Sequence, residues 1–410
     1  MHAQPSPDLA DTPLGRDAQA LLKSCVHCGF CLPACPTYRV LGSELDSPRG
    51  RIYLIKQMVE GAPVTEATRE HLDRCLTCRS CESACPSGVQ YGRLIDLGRE
   101  LVEHKVPRPA VERTWRHTLA LVLAQRAVFT PLLRIGQIVR GALPATLSAK
   151  IPPRVVTGPR PVARHTRRVV LLEGCVQPGL APQINAATAR VLDRLGISVL
   201  TARGEACCGA LGHHLGATER ARAQARRNVD LCTRLLDDGA EAIVSTASGC
   251  GVFVKDYGHL LADDPAYAAK AARVAAATRD LCEVISVDDL RAAGRSGRTR
   301  ERIAWQAPCT LQHGQRGATT GRVEALLTAA GYTLTPVASP HLCCGSAGTY
   351  SLLQAELSQA VRARKLETLL GGEPVAIATA NIGCLEHLRA ASPVPVRHWI
   401  EWLDAAWQES

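Results

Sequence analysis

Residues 25–36 read CVHCGFCLPACP, and residues 75–86 read CLTCRSCESACP. Both follow C-x2-C-x2-C-x3-C-P, four thiols in eleven residues closing on Cys-Pro. The first three thiols of such a run are spaced so that one loop and one helical turn converge on a single cuboidal iron-sulfur centre, while the fourth points away. A proline after the fourth cysteine fixes its own backbone angle and biases that cysteine toward extended geometry, turning the thiol out of its local helix. Neither run completes a site alone.

This run is the two-cluster ferredoxin signature, in which the fourth cysteine ligates the other cluster. On that pattern Cys25, Cys28, Cys31 and Cys85 hold one 4Fe-4S cluster, and Cys75, Cys78, Cys81 and Cys35 hold the second. Zinc is the rival, because two separated CxxC pairs can make a tetrahedral site. Four thiols per run, twice, suit a pair of cubanes better.

The rest of the composition agrees with a metal-bearing intracellular protein. The amino-terminal MHAQPSPDLADTPLGRDAQALLKSC has Pro and Asp where a signal peptide needs an unbroken apolar segment, so a cytoplasmic location is expected. No stretch reaches 18 uninterrupted apolar residues, and TLALVLAQRAVFTPLLRIGQIV is broken by Arg126, Pro131 and Arg134. Eighteen cysteines in a reducing compartment favour metal or redox chemistry over disulfides. At 410 residues, two or three domains are expected.

The formal charge of +10 is concentrated. Leu101 to Arg168 holds 13 Lys or Arg against 2 Asp or Glu, so the excess belongs to one connector. Val111, Trp115, Leu119 and Val122 follow Pro107 and Pro109 at helical spacing, and Pro131 is expected to end or kink that helix. A second apolar stripe, Leu132, Ile135, Ile138 and Val139, precedes the extended IPPRVVTGPRPVAR. Such a hairpin either packs its apolar face on its own domains or meets anionic lipid or a partner subunit. Nucleic acid is not an expected partner, since stacking aromatics are scarce and no RNA- or DNA-binding motif is present.

Between the cysteine runs, Ser47 reads as an N-cap and Pro48 as a first helical residue, with Ile52, Ile55 and Val59 on one face. This helical insert points to an α-helical ferredoxin domain. Arg49 and Arg51 either face a cluster's negative charge or an acidic partner, or are solvated.

Beyond the connector the chain repeats itself. RRVVLLEGC pairs with RIAWQAPC, ACCGALG with LCCGSAG, and AIVSTASGC with AIATANIGC. Equivalent cysteines are offset by 134, 136 and 134 residues, so a whole domain is duplicated. Strand-like runs alternate with longer helical ones, the pattern of α/β units with mainly parallel sheets, and the cysteines fall just after strands where such sheets form ligand crevices. The copies gather Cys175, Cys207, Cys208 and Cys250, then Cys309, Cys343, Cys344 and Cys384, as a candidate further iron-sulfur centre. Cys232 and Cys282 have no counterparts and read as core residues. Gly209 and Gly345 allow close backbone approach or serve a turn.

These features together resemble the family of cysteine-rich CCG-domain proteins fused to a two-cluster ferredoxin. SPRGRI, CCGALGHHLG, CCGSAGTYSLLQAELS and ATANIGCLEHLRAASPVPVRHWIEW are most similar to the iron-sulfur subunits of glycolate oxidase within it. The expected fold class is an α-helical ferredoxin domain plus duplicated α/β cysteine-rich (CCG) domains. The expected boundaries are 1–105 for the ferredoxin, 106–165 for the hairpin and linker, 166–300 for repeat 1 and 301–410 for repeat 2.

The resemblance implies an electron-transfer subunit of a three-subunit 2-hydroxy-acid dehydrogenase. Flavin-containing partner subunits would oxidise glycolate to glyoxylate, and this chain would pass electrons toward a quinone or other membrane acceptor, peripheral on the cytoplasmic face of the inner membrane. No catalytic residue is expected in the chain itself, since no GxGxxG follows a predicted strand. Other members of the family, acting on heterodisulfide, glycerol-3-phosphate or lactate, are the alternatives. Heterodisulfide reductases end each CCG half with CxxC, whereas Phe253 and His387 stand at those positions here. His387 is a candidate nitrogen ligand or a hydrogen-bonded residue, and His213, His214, His313 and His341 lie near the thiols in sequence.

Overall fold

A computed structural model describes residues 1–144, 148, 151–294, 300–315 and 319–408. The chain as far as Lys105 is helical around two cysteine loops. Its helices are α1 (Pro13–Lys23), α2 (Pro36–Leu41), α3 (Pro48–Val59), α4 (Glu66–Asp73), α5 (Ser80–Ser83) and α6 (Tyr91–Lys105). The Ser47 hydroxyl accepts the Gly50 N–H with Pro48 first in the helix, so α3 starts where its cap and proline dictate. Ile52, Ile55 and Val59 of α3 then pack on Leu94, Ile95 and Val102 of α6, with Leu22 and Leu72 closing the core.

The connector forms α7 (Ala110–Ala124) and α8 (Arg126–Val139). Pro131 does not end a helix: α8 runs through it, and the break falls at Gln125, whose extended backbone (φ −113°, ψ 103°) separates two helices bent by 90°. Proline removes a single helical hydrogen bond there, while the extended Gln125 redirects the whole chain. No single helix among the described residues is long and apolar enough to cross a membrane; α7 and the segment Arg126–Ala142 reach that length and composition only as a bent pair. Leu119, Ala120 and Ala124 of α7 are buried, but α8 buries no residue.

Much of the connector's positive charge is neutralised within the chain. Arg108 and Arg116 pair with Asp73, Arg126 and Arg160 with Glu173, Arg164 with Asp193 and Arg167 with Glu241. The basic segment thus fastens the helical domain to the α/β part. Residues 145–147 and 149–150 of the expected connector, 295–299 of the first repeat, and 316–318 and 409–410 of the second lie outside the described residues.

Each repeat folds around a four-stranded, wholly parallel sheet. β1 (Arg167–Leu172), β2 (Ile197–Thr201), β3 (Ala242–Ser245) and β4 (Thr278–Asp280) lie in the order β2-β1-β3-β4. The second sheet, β6-β5-β7-β8, repeats this with β5 (Arg302–Gln306), β6 (Thr333–Thr335), β7 (Ala376–Thr379) and β8 (Val396–His398). Burial on both faces explains why β1 and β7 read as unbroken apolar runs in sequence. One core spans both repeats, joining Val169, Leu171 and Ile184 to Ile303, Trp305 and Ile377. The seam is polar where it must be: His398 Nε2 meets the Thr246 carbonyl at 2.9 Å, and the Ser248 and Thr310 hydroxyls lie 2.7 Å apart. The architecture is an α-helical ferredoxin-like region followed by two α/β units.

Candidate iron-sulfur sites

The two cysteine loops bend alike. His27 and Thr77, each two residues after the first cysteine, have φ of 62° and 52°, and Gly29 and Arg79, each following the second, have φ of 88° and 59°. Left-handed backbone is costly for His, Thr and Arg. Its recurrence at matched positions curls each loop so that its thiols face inward. Cys35 caps α2 in extended geometry (φ −86°, ψ 118°) ahead of Pro36.

The thiols consequently ring two neighbouring cavities. Cys25, Cys28, Cys31 and Cys85 line one, with Cys81 at its inner wall. Cys35, Cys75, Cys78 and Cys81 line the other. Each cavity therefore takes three thiols from one run and the fourth from the other, and Cys81, Pro48 and Tyr91 border both. Among the described residues no three His, Cys, Asp or Glu side chains converge on a point suited to a single metal ion. Thiols around a cavity are the donor set a multi-atom cluster takes.

The two environments differ. The first cavity is at the surface: Cys28 is exposed, as are Val26 and Phe30, and Arg49 at its edge pairs with Glu44 at 2.6 Å. The second is buried. Arg51 lines it and is covered on all sides, donating to Thr37 Oγ1 at 3.1 Å, the His71 carbonyl at 2.6 Å and Asp46 Oδ1 at 3.3 Å. Burial opposes its charge, but Tyr91, Cys75, Cys35 and Asp46 together raise the guanidinium's pKa above its ordinary value. A fixed cation thus faces the thiols of the second cavity. Burial pushes Cys31 up to about 11 and holds Cys78 and Cys81 well above the usual thiol range, so cluster loading must displace protons.

In both α/β repeats the four expected thiols come together in the same order. Cys175 meets Cys207, Cys207 meets Cys208, and Cys208 meets Cys250. Cys309 Sγ lies 3.9 Å from Cys343 Sγ, Cys343 meets Cys344, and Cys344 meets Cys384. The surroundings are not equivalent. Repeat 1 places Glu205 at the cavity, its carboxylate accepting the Glu173 and Gly174 N–H groups at 3.1 and 2.9 Å; burial and then the charge of Glu173 push it up to about 8. Repeat 2 instead buries Lys365, whose Nζ donates to the Pro340 carbonyl at 3.0 Å. Burial depresses this amine, an effect opposed by the facing Cys344, Cys343, Cys384 and Cys309. Repeat 2 also adjoins the second cavity of the helical domain, since Cys343, Tyr350 and Val361 share an apolar cluster with Leu76 and Cys78.

His387, His313, His213 and His214 have partners other than the thiols. His387 lies 3.2 Å from the Ser358 hydroxyl, and burial lowers its pKa to about 4. His313 bridges Ser83 of α5, at 2.8 Å, and the His341 carbonyl, at 3.2 Å. His213 and His214 both reach Asp96 of α6 at 3.6 and 3.3 Å, and Phe253 packs against the pair. Cys232 and Cys282 are fully buried in the cores. Gly345 has φ +91°, and a Cβ there would come within 2.5 Å of the Ser358 carbonyl oxygen, so it serves a turn pressed against the next helix. Asp46, Tyr91, Glu205 and Lys365 carried no signal in the sequence, because only tertiary packing brings them to the thiols.

Residues 21–89 match the 4Fe-4S dicluster domain family, and residues 169–255 and 303–389 each match the cysteine-rich domain family. The chain is 50% identical to the glycolate oxidase iron-sulfur subunit of Escherichia coli (strain K12), over 99% of both chains. It is 30% identical to the probable glycolate oxidase iron-sulfur subunit of Bacillus subtilis (strain 168), over 90% of this chain and 88% of that one. Lactate utilization protein A of Bacillus licheniformis is 27% identical over 58% of this chain and 99% of its own.

Proposed function

Because the chain belongs to the family of glycolate oxidase iron-sulfur subunits, we propose that it is the electron-transfer subunit of a glycolate oxidase complex. Flavin-containing subunits oxidise glycolate to glyoxylate, and this chain carries the electrons toward a quinone-type acceptor from a cytoplasmic, peripheral position at the inner membrane. The observation that carries this reading is the pair of adjoining cavities, each ringed by three thiols of one cysteine run and one of the other.

Cys25, Cys28, Cys31 and Cys85 would hold one 4Fe-4S cluster, and Cys75, Cys78, Cys81 and Cys35 the second. Bound clusters of this kind supply one-electron transfer. The chain's own residues set the conditions. Exposed Cys28 leaves the first site open to a redox partner, and buried Arg51 favours the reduced, more negative state of the second.

A further centre belongs to repeat 2, at Cys309, Cys343, Cys344 and Cys384. Its support is the buried Lys365 amine beside those thiols and the apolar cluster that Cys343 shares with Cys78. Repeat 1, with Cys175, Cys207, Cys208 and Cys250, has an acid in that neighbourhood instead. The division into 1–105, 106–165, 166–300 and 301–410 is part of this proposal.

The test is anaerobic purification with the partner subunits, with iron and acid-labile sulfide measured and glycolate-dependent dye reduction followed. Cys28→Ser should abolish electron flow while the isolated chain oxidises nothing. Folded, colourless protein with stoichiometric zinc would overturn the reading, and disulfide reduction by the chain alone would favour the heterodisulfide reductase branch.

A further inference from the structure

Helix α8 rests on the α/β part by one side only. Phe129 and Leu133 lie against Gly179, where a Cβ would come within 3.3 Å of each. On the other side Val128, Leu132, Ile135 and Val139 recur at helical spacing with Ile138 beside them, and all five are exposed, Leu132 to 52%, Ile135 to 58% and Ile138 to 82%. Nothing among the described residues covers this stripe. A contiguous exposed apolar face of this kind marks an interaction surface.

The surrounding charge identifies what it meets. From Arg113 to Leu172 there is no Asp or Glu, while the same segment holds eleven Lys or Arg. Several of these arginines pair with acids elsewhere in the chain, but Arg113 and Arg134 are exposed and have no ion-pair partner among the described residues. Trp115 and Val111 on α7 are exposed as well. The stripe itself is wholly aliphatic and offers no hydrogen-bonding group, whereas the cores of protein interfaces are enriched in Tyr, Trp, Met and Arg. A helix of 14 residues is roughly 21 Å long, too short for a hydrocarbon core of about 30 Å, and the 90° bend at Gln125 prevents α7 from extending it straight.

We propose that α8 is a membrane-docking element that lies in the plane of an anionic lipid surface, with Leu132, Ile135, Ile138 and Val139 at the acyl boundary and Arg113 and Arg134 among the headgroups. This names the surface behind the peripheral location proposed above, and rests on that reading only for its purpose. Apolar burial and headgroup attraction act together in such helices, so binding requires both and weakens with salt.

The test is flotation of the full-length, cluster-loaded protein with vesicles of phosphatidylglycerol and phosphatidylcholine, against phosphatidylcholine alone. The wild type is expected to float with the anionic vesicles. The double variant Leu132→Gln/Ile135→Gln should bind at least tenfold less, and Arg113→Glu/Arg134→Glu several-fold less. Val375→Gln, at an exposed apolar position on repeat 2, should bind like wild type. These are exposed positions, and unchanged iron content and visible absorbance show that each variant has folded. Failure of the wild type to float, or undiminished binding by the Leu132/Ile135 variant, overturns the proposal. So does loss of partner-subunit co-purification in that variant with vesicle binding intact, which would make the stripe a protein interface. Glycolate-dependent dye reduction by the complex is scored separately: intact electron flow without vesicle binding removes this inference alone, and vesicle binding without clusters removes the electron-transfer reading alone.

Discussion

Arg51 Nη2 lies 3.3 Å from Asp46 Oδ1, and each side chain is only 1% exposed. Asp46 also meets His71 at 3.1 Å and Arg74 at 3.2 Å, so the pair belongs to a network that fixes the loop before α3 against the second cysteine run. Breaking a buried pair from one side leaves an uncompensated charge, at about 3–5 kcal/mol. Arg51→Met is therefore expected to lower the urea midpoint and to shift the second cluster's potential downward by tens of millivolts, about 59 mV for each tenfold change in the one-electron equilibrium. An EPR-monitored redox titration reads the shift; an unchanged potential in folded protein would separate Arg51 from the cluster.

Exchange of the fourth thiol makes a crossed prediction. Cys85→Ser should perturb the signal of the cluster held by the first run, and Cys35→Ser that of the second. EPR spectra of the two variants, reduced in steps, distinguish this from ligation within each run, which would reverse the pattern.

For the further centre the two repeats should respond differently. Cys384→Ser and Lys365→Met are expected to lower iron per chain by the content of that centre, whereas Cys250→Ser leaves it unchanged. Iron and acid-labile sulfide analysis decides it, and an equal loss from Cys250→Ser would place a centre in repeat 1 too.

Gly42 and Gly345 both have positive φ, but nothing lies within 4 Å of a Cβ at Gly42, while one at Gly345 strikes the Ser358 carbonyl. Gly42→Ala should cost about 1 kcal/mol, the left-handed penalty alone. Gly345→Ala should cost distinctly more, and chemical denaturation of both variants compares them.

His398 gives the repeat seam a pH dependence. Burial lowers its pKa to about 4, and the neutral ring both donates to the Thr246 carbonyl and accepts the Ile400 N–H. Between about pH 6.5 and pH 4 the unfolded chain binds more protons than the folded one, so this contribution is complete above the ordinary histidine value and is lost as pH falls. One histidine sets a slope of at most about 1.4 kcal/mol per pH unit. His398→Gln should flatten the difference between denaturation midpoints at pH 7 and pH 5.

Local chemistry explains what the sequence made legible. The Ser47-Pro48 start of α3 depends on neighbouring residues alone, and the alternation of strands and helices follows from apolar patterning, so both could be read directly. The grouping of four thiols per repeat was legible because duplication aligned them. Arg51 was ambiguous, since its burial depends on Asp46 and on the second run folding over it. Proximity in sequence left His213 and His214 open, and it is tertiary packing that brings both to Asp96 of the helical domain. Proline drew attention in the connector, but the turn is made by Gln125, a residue with no distinctive preference.

Cys81 stands in the wall between the two cavities, and each cavity borrows a donor from the far run. If each centre is closed by that borrowed thiol, as proposed, maturation has no halfway product: the ribosome must release both runs, some sixty residues from Cys25 to Cys85, before either centre can close. On the same proposal, loss of the solvent-facing centre would free Cys85, which lines that cavity beside Cys81. Repair machinery would meet a pair to be rebuilt together.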